Sequence, residues 1–163
     1  MIPIAQAAAS HTLIVPTEKL PLRLQIPRIH VNALIRSVGL TPDGAMGVPS
    51  NRFDVAWYNR GPRPGESGSA VIDGHIGFKG GTVFDQLHTL QKGDRLSTVD
   101  SQGEVKTFVV RETRIYNFDA NVPEVFVSGD GGSHLNLVTC TGVWNKLQKR
   151  YNKRLVVFTD LVK

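Results

Sequence analysis

The chain has 163 residues, 40% of them hydrophobic and 20% charged, which suits one packed domain and excludes wholesale disorder. Sixteen glycines and nine prolines against two methionines favour turns and short strands over a helical bundle. A formal net charge of +5 suits anionic surroundings such as a cell wall, a lipid headgroup layer or nucleic acid, and no stretch reaches the ~20 apolar residues of a membrane span.

Residues 1–21 carry no hydrophobic period and hold Pro3, Pro16 and Pro21. They read as a linker or a truncated membrane-proximal segment, because the AQAAAS tract is too short and lacks the basic leader of a complete signal peptide. Residues 22–163 form the expected folded domain. Leu22, Leu24 and Ile26 alternate with Arg23 and Gln25, the period of a half-buried strand, and the stretch from Ile29 to Val38 supplies another. Thr41–Gly47 is turn chemistry. Val55–Tyr58 is a short aromatic strand, followed by a rigid loop from Gly61 to Gly68. Ser69–Ile72 reads as a buried strand running into Asp73-Gly74-His75.

The segment Thr82–Leu90 predicts a helix, with Thr82 as its cap and Val83, Leu87 and Leu90 on one face. Leu96–Val99 and Val105–Tyr116 follow as strands, and Val122–Val127 as one helical turn in a long loop. The last two strands are Leu135–Cys140 and Arg154–Leu161, separated by a basic segment. Seven or eight short strands with one short helix and a few helical turns predict an all-β closed barrel, which leaves no exposed sheet edge.

Cys140 is the single cysteine, so no internal disulfide forms. A lone cysteine is either a small buried hydrophobe or a reactive thiol. On its strand the even positions share a face, which sets Val138 beside Cys140 as a groove-lining candidate, with Thr139 as a buttress. A thiol nucleophile needs a proton acceptor near neutral pH. His75 closes a strand between Gly74 and Gly77, small neighbours that let a substrate or backbone approach. His134 lies on the cysteine's own strand roughly 20 Å away, His88 faces solvent from the helix, His11 is in the linker and His30 has no clearing around it. His75 is therefore the best base. Arg154 opens the final apolar strand, where it projects over the end of the sheet, and Asp73 shares His75's strand face as a candidate orienting group. Trp144 reads as a loop anchor. One cysteine and no histidine pair at i, i+4 give no metal site, and no cofactor is expected.

Three segments in order resemble the sortase pattern: Val71-Ile72-Asp73-Gly74-His75, Leu137-Val138-Thr139-Cys140 and Arg154-Leu155-Val156-Val157. The blocks Val83-Phe84-Asp85-Gln86-Leu87, Gly93-Asp94 and Trp57-Tyr58 with Pro64-Gly65 resemble it too, and the likeness spans residues 22–163. Asn136 departs from it, standing where that family usually has threonine. Thr141-Gly142 brings the class F and class E/D types nearest. The resemblance implies a sortase-like β-barrel and a cysteine transpeptidase whose catalytic residues are His75, Cys140 and Arg154, gathered at one mouth of the barrel. It also implies Val138 and Thr139 as substrate-binding residues, and a Leu-Pro-x-Thr-Gly-type sorting signal as substrate. The acyl group would pass through a Cys140 thioester to an amine from a cell-wall precursor or a pilin lysine. Location at the cell surface through a membrane anchor, and a monomeric state, follow from the same resemblance. Two other readings stand beside it. One is a nucleic-acid-binding barrel using Trp144, Lys146, Lys149, Arg150, Tyr151, Lys153 and Arg154; the other is an adhesive barrel whose cysteine is inert.

Overall fold

The computed structural model describes residues 19–77 and 79–163. The AQAAAS tract, His11 and most of the expected linker lie outside the described residues. The described residues form eight strands: β1 (Pro21–Ile26), β2 (Val31–Val38), β3 (Val55–Tyr58), β4 (Gly68–Asp73), β5 (Arg95–Asp100), β6 (Val105–Asn117), β7 (Ser133–Asn145) and β8 (Arg150–Leu161). They close into a barrel in the order β1-β2-β3-β4-β7-β8-β6-β5. Two neighbouring pairs, β2 with β3 and β4 with β7, run parallel.

Alternation along the strands splits the apolar residues between two cores. Leu24, Ile26, Ala70, Ile72, Leu135, Leu137, Leu155 and Val157 point into the barrel together with Phe108 and Phe84. Val71, Val138, Val156 and Phe158 point outward, where Val125, Val122, Met46 and Tyr58 cover them. That second cluster explains why β4, β7 and β8 read as nearly continuous apolar runs. They are buried on both faces, so a period of two gives no polar positions to see.

Two segments differ from the sequence reading. Thr82–Leu90 is a series of turns ending in a 3-10 turn at Leu87–Thr89, not an α-helix. The Asp85 carboxylate accepts from the backbone N–H of both Gly77 and Thr82. Meanwhile Phe84 N–H donates to His75 O, so the segment is folded back on the end of β4 instead of winding forward. Of its expected apolar face, Leu87 and Leu90 enter the barrel core while Val83 packs against it only partly buried; Phe84, not assigned to that face, is also in the core.

The basic segment after Cys140 is likewise no loop. β7 and β8 continue as a hairpin, with a bulge between Thr141 and Trp144 at Gly142, whose φ of 86° suits glycine. The Asn145 side chain accepts from Leu147 and Gln148 N–H to form the turn, and Trp144 packs edge to face on Tyr151. Cys140 and Arg154 thus lie within a long hairpin and not at strand ends.

Gly74 shows how tightly this end of β4 is packed, since a Cβ there would stand 2.4 Å from a ring carbon of the fully buried Phe84. Gly74→Ala is expected to lose about 1–3 kcal/mol through overpacking, read as a lower denaturant midpoint. An unchanged midpoint would show that the contact is slack.

Candidate active site

The sheet register brings two of the three chemical side chains together. Cys140 on β7 is paired directly with Arg154 on β8, and side chains of directly opposed residues project from the same face about 4.5–5.5 Å apart. On the other side of β7, Asp73 of β4 is level with Val138. His75 follows two residues beyond the end of β4, while Cys140 and Arg154 share the face of Val138. This face is the outer one, shared with Val138 and Val156. Cys140 and Arg154 therefore project from the outer wall of the barrel.

Backbone and side-chain bonds fix His75. Gly74 N–H donates to Val138 O at 3.1 Å, and Phe84 N–H to His75 O at 3.1 Å. Thr139 Oγ1 donates to Gly74 O at 2.6 Å. The ring is held from outside by Pro49, whose carbonyl accepts from Nε2–H at 2.8 Å, leaving Nδ1 as the proton-accepting nitrogen of the neutral ring. Thr139 is only 2% exposed and faces the barrel interior. Its hydroxyl ties the segment leading into His75 to the cysteine's strand, a bracing contact.

Arg154 is held by an aromatic ring that the sequence reading did not single out. Its guanidinium carbon lies 4.3 Å from the ring centre of Phe118, just after β6, and Arg150 stacks on the same ring at 3.9 Å. Arg150 is further bound to Asp119, at 3.0 Å. Alternating polar and aromatic residues before and after Asn117 carried no periodic signal that pointed at Arg154; the pairing of β6 with β8 makes the contact.

A pocket is lined by Arg154, though not by Cys140 or His75. Its walls include Val138, Val156, Val125, Val122, Met46 and Phe126, and its polar lining includes Asp73 and Arg154. Val138 lies where the sequence reading expected a groove-lining residue. The roof is held down by Asn136, whose side-chain amide donates to Val125 O at 2.7 Å while its Oδ1 has no hydrogen-bond partner. This departure from the expected threonine thus tethers the segment that covers the pocket.

The remaining histidines stand apart. His134 is bonded between Asp130 and Asp160, while His30 and His88 are exposed. No group of three or more metal-ligating side chains occurs among the described residues.

The model of the sortase domain matches residues 24–162. The chain belongs to the sortase family. Its fold is also similar to sortase C-1 of Actinomyces oris, at 25% identity and a TM-score of 0.68 over 86% of this chain and 73% of that one. Sortase C1 of Streptococcus agalactiae, in complex with MTSET, is similar at 23% identity and a TM-score of 0.68 over 90% and 68% of the two chains. Sortase A of Corynebacterium diphtheriae shares 19% identity at a TM-score of 0.68, over 90% of this chain and 62% of that one. No curated protein matches the sequence. Membership makes the chain a cysteine transpeptidase in general terms.

Charge at the sortase pocket is finely opposed. Burial pushes the Cys140 thiol above its ordinary range, the Asp73 carboxylate raises it further, and the Arg154 guanidinium pulls it down. Burial also lifts Asp73, up to about 7, against the lowering effect of Arg154. Asp73→Asn is therefore expected to move the pH midpoint of Cys140 alkylation downward, because above pH ~7 it removes an anion that opposes the thiolate. Arg154→Ala is expected to move it upward. Shifts of the opposite sign would contradict this electrostatic arrangement.

Proposed function

We propose that this sortase cleaves a Leu-Pro-x-Thr-Gly-type sorting signal through a thioester at Cys140 and transfers the acyl group to an amine. The observation that carries the reading is the register that sets Cys140 opposite Arg154, with β4, the strand that leads into His75, paired on the other side of β7, and Arg154 lining an apolar pocket.

The raised thiol requires a base at the moment of attack, since the thiolate is the nucleophile. His75 Nδ1 takes the thiol proton as sulfur adds to the peptide carbonyl. Arg154, a permanent cation oriented by Phe118, stabilises the charge that develops on the carbonyl oxygen. The imidazolium then returns its proton to the departing amine, leaving the acyl group on sulfur. An incoming amine, from a cell-wall precursor or a pilin lysine, reverses these steps: its nitrogen adds to the thioester, its proton passes to His75, and the thiolate leaves. The acyl half must stay bound while the leaving peptide departs, so it occupies the pocket along Val138, Val156 and Val125.

The substrates are surface proteins with a C-terminal sorting signal. The reaction takes place outside the cytoplasm at the cell surface, with the catalytic domain of residues 22–163 acting as a monomer beside a membrane to which an anchor holds it. No helix among the described residues is long and apolar enough to cross a membrane. Nucleic-acid binding gains no support from the basic hairpin, where Arg150 is engaged by Asp119 and Phe118 and Trp144 packs on Tyr151.

Mass spectrometry of the protein with sorting-signal peptides tests the reading. A covalent adduct at Cys140, discharged by an added amine, is expected for the wild type and absent in Cys140→Ala. His75→Ala is expected to slow its formation by about 10²–10⁴-fold, and Arg154→Ala by about 10²–10³-fold. A folded wild-type protein that forms no adduct with any such peptide would overturn the proposal.

A further inference from the structure

The Asp73 carboxylate is the one feature of the pocket that the transfer chemistry does not use. It is half-buried, lines the pocket with Arg154 and Val138, and belongs to a strand otherwise apolar from Ala70 to Ile72. Among the described residues its carboxylate oxygens have no hydrogen bond and no ion pair within 4 Å, Arg154 acting on it only at longer range. A buried polar group normally has a partner. Here the carboxylate also works against catalysis, because it raises the thiol that must ionise. Neither packing nor activation of Cys140 accounts for it, whereas its exposure to the pocket gives a ligand access to it.

Its height on the sheet indicates what it would meet. Asp73 is level with Val138, two residues from Cys140, a rise of about 6.6 Å along an extended chain. An extended acyl chain whose carbonyl carbon sits at sulfur places one of its last two side chains over that level. Resting on the proposed sortase reaction, we infer that Asp73 is a specificity-determining residue: it accepts a hydrogen bond from a donor or cationic side chain within the last two residues before the scissile bond, and rejects a carboxylate there. The threonine hydroxyl of a Leu-Pro-x-Thr-Gly signal is one such donor. A like charge facing an anion at close range is strongly disfavoured, so the selection acts both by attraction and by exclusion.

The groups that set the charge at this spot are Asp73 itself, Arg154 and Cys140, with Tyr116 in the pocket wall hydrogen-bonded to Glu124, Asp119 near Arg154, and His75 beyond Gly74. Asp73 ionises around pH 7, so discrimination against acidic peptides strengthens as pH rises through that value.

The test compares kcat/KM for thioester formation with peptides carrying lysine or glutamate at each of the last two positions before the cleaved bond. For wild type at pH 8, at least one position is expected to favour lysine by about tenfold or more, with a smaller ratio at pH 6. In both Asp73→Asn and Asp73→Ala the ratio at that position is expected to fall to within about threefold and to lose its pH dependence. The wild-type pH series needs no variant, so it tests the inference even if a variant fails to fold. A wild-type ratio near one at both positions, or a preference that persists unchanged in the two folded variants, would overturn it. Failure of the reaction itself is distinguishable, because then no peptide of any charge forms an adduct on the wild type.

Discussion

β7 is paired on both sides, parallel to β4 and antiparallel to β8, and this double register is the constraint on which the site depends. Each pairing converts a sequence position into a height on the barrel wall. The β8 pairing places a guanidinium opposite the sulfur, and the β4 pairing sets Asp73, two residues before the histidine, level with Val138. A slip of one residue in either ladder would turn one of these side chains to the opposite face. The interior side chains resist such a slip, since Ile72, Leu137, Leu155 and Val157 are all within 4% exposure of complete burial. Thr139 links that interior to the site: its hydroxyl bond to Gly74 O fixes the backbone one residue before His75.

Much of the barrel was legible from period-two alternation and turn residues, because most strands contact solvent on one side. The strands near the site were legible as strands but not in extent. β8 begins at Arg150 rather than Arg154, since Tyr151-Asn152-Lys153 is polar on both faces and its pairing comes from an Asn145-centred turn that lies far from the apolar run. Thr82–Leu90 carried a helical spacing of apolar residues, yet three of them serve a chain that folds back under His75. The same spacing that predicts a helical face also satisfies a series of tight turns when an aspartate holds the segment's N–H groups.

The site was legible where one residue type carries the chemistry by itself. Cys140, His75 and Arg154 stood out because thiol, imidazole and guanidinium have few equivalents, and Val138 followed from alternation with Cys140. Phe118 and Pro49 did not stand out, and Asn136 did so only as a departure from the family pattern, with its tether unforeseen. Each acts through a contact between segments far apart in sequence, whether a ring under a cation, a carbonyl on an imidazole or an amide on a roof segment. Thr139 was read as a buttress beside the cysteine, and alternation assigns it to the face opposite Cys140, where its hydroxyl bonds Gly74 O.

The outward core also explains how a barrel, a closed structure, offers a groove at all. Val71, Val138, Val156 and Phe158 would be exposed on the outer wall without the β6–β7 connection and Met46. Covering them incompletely leaves an apolar channel that ends at Arg154 and Asp73. The most direct test of this arrangement is a crystal structure of the protein with a sorting-signal analogue captured covalently on Cys140. The account predicts the acyl chain lying along Val138, Val156 and Val125, the carbonyl oxygen turned toward Arg154 and His75 level with the sulfur. An acyl chain directed away from that channel, or a carbonyl oxygen out of reach of the guanidinium, would contradict it.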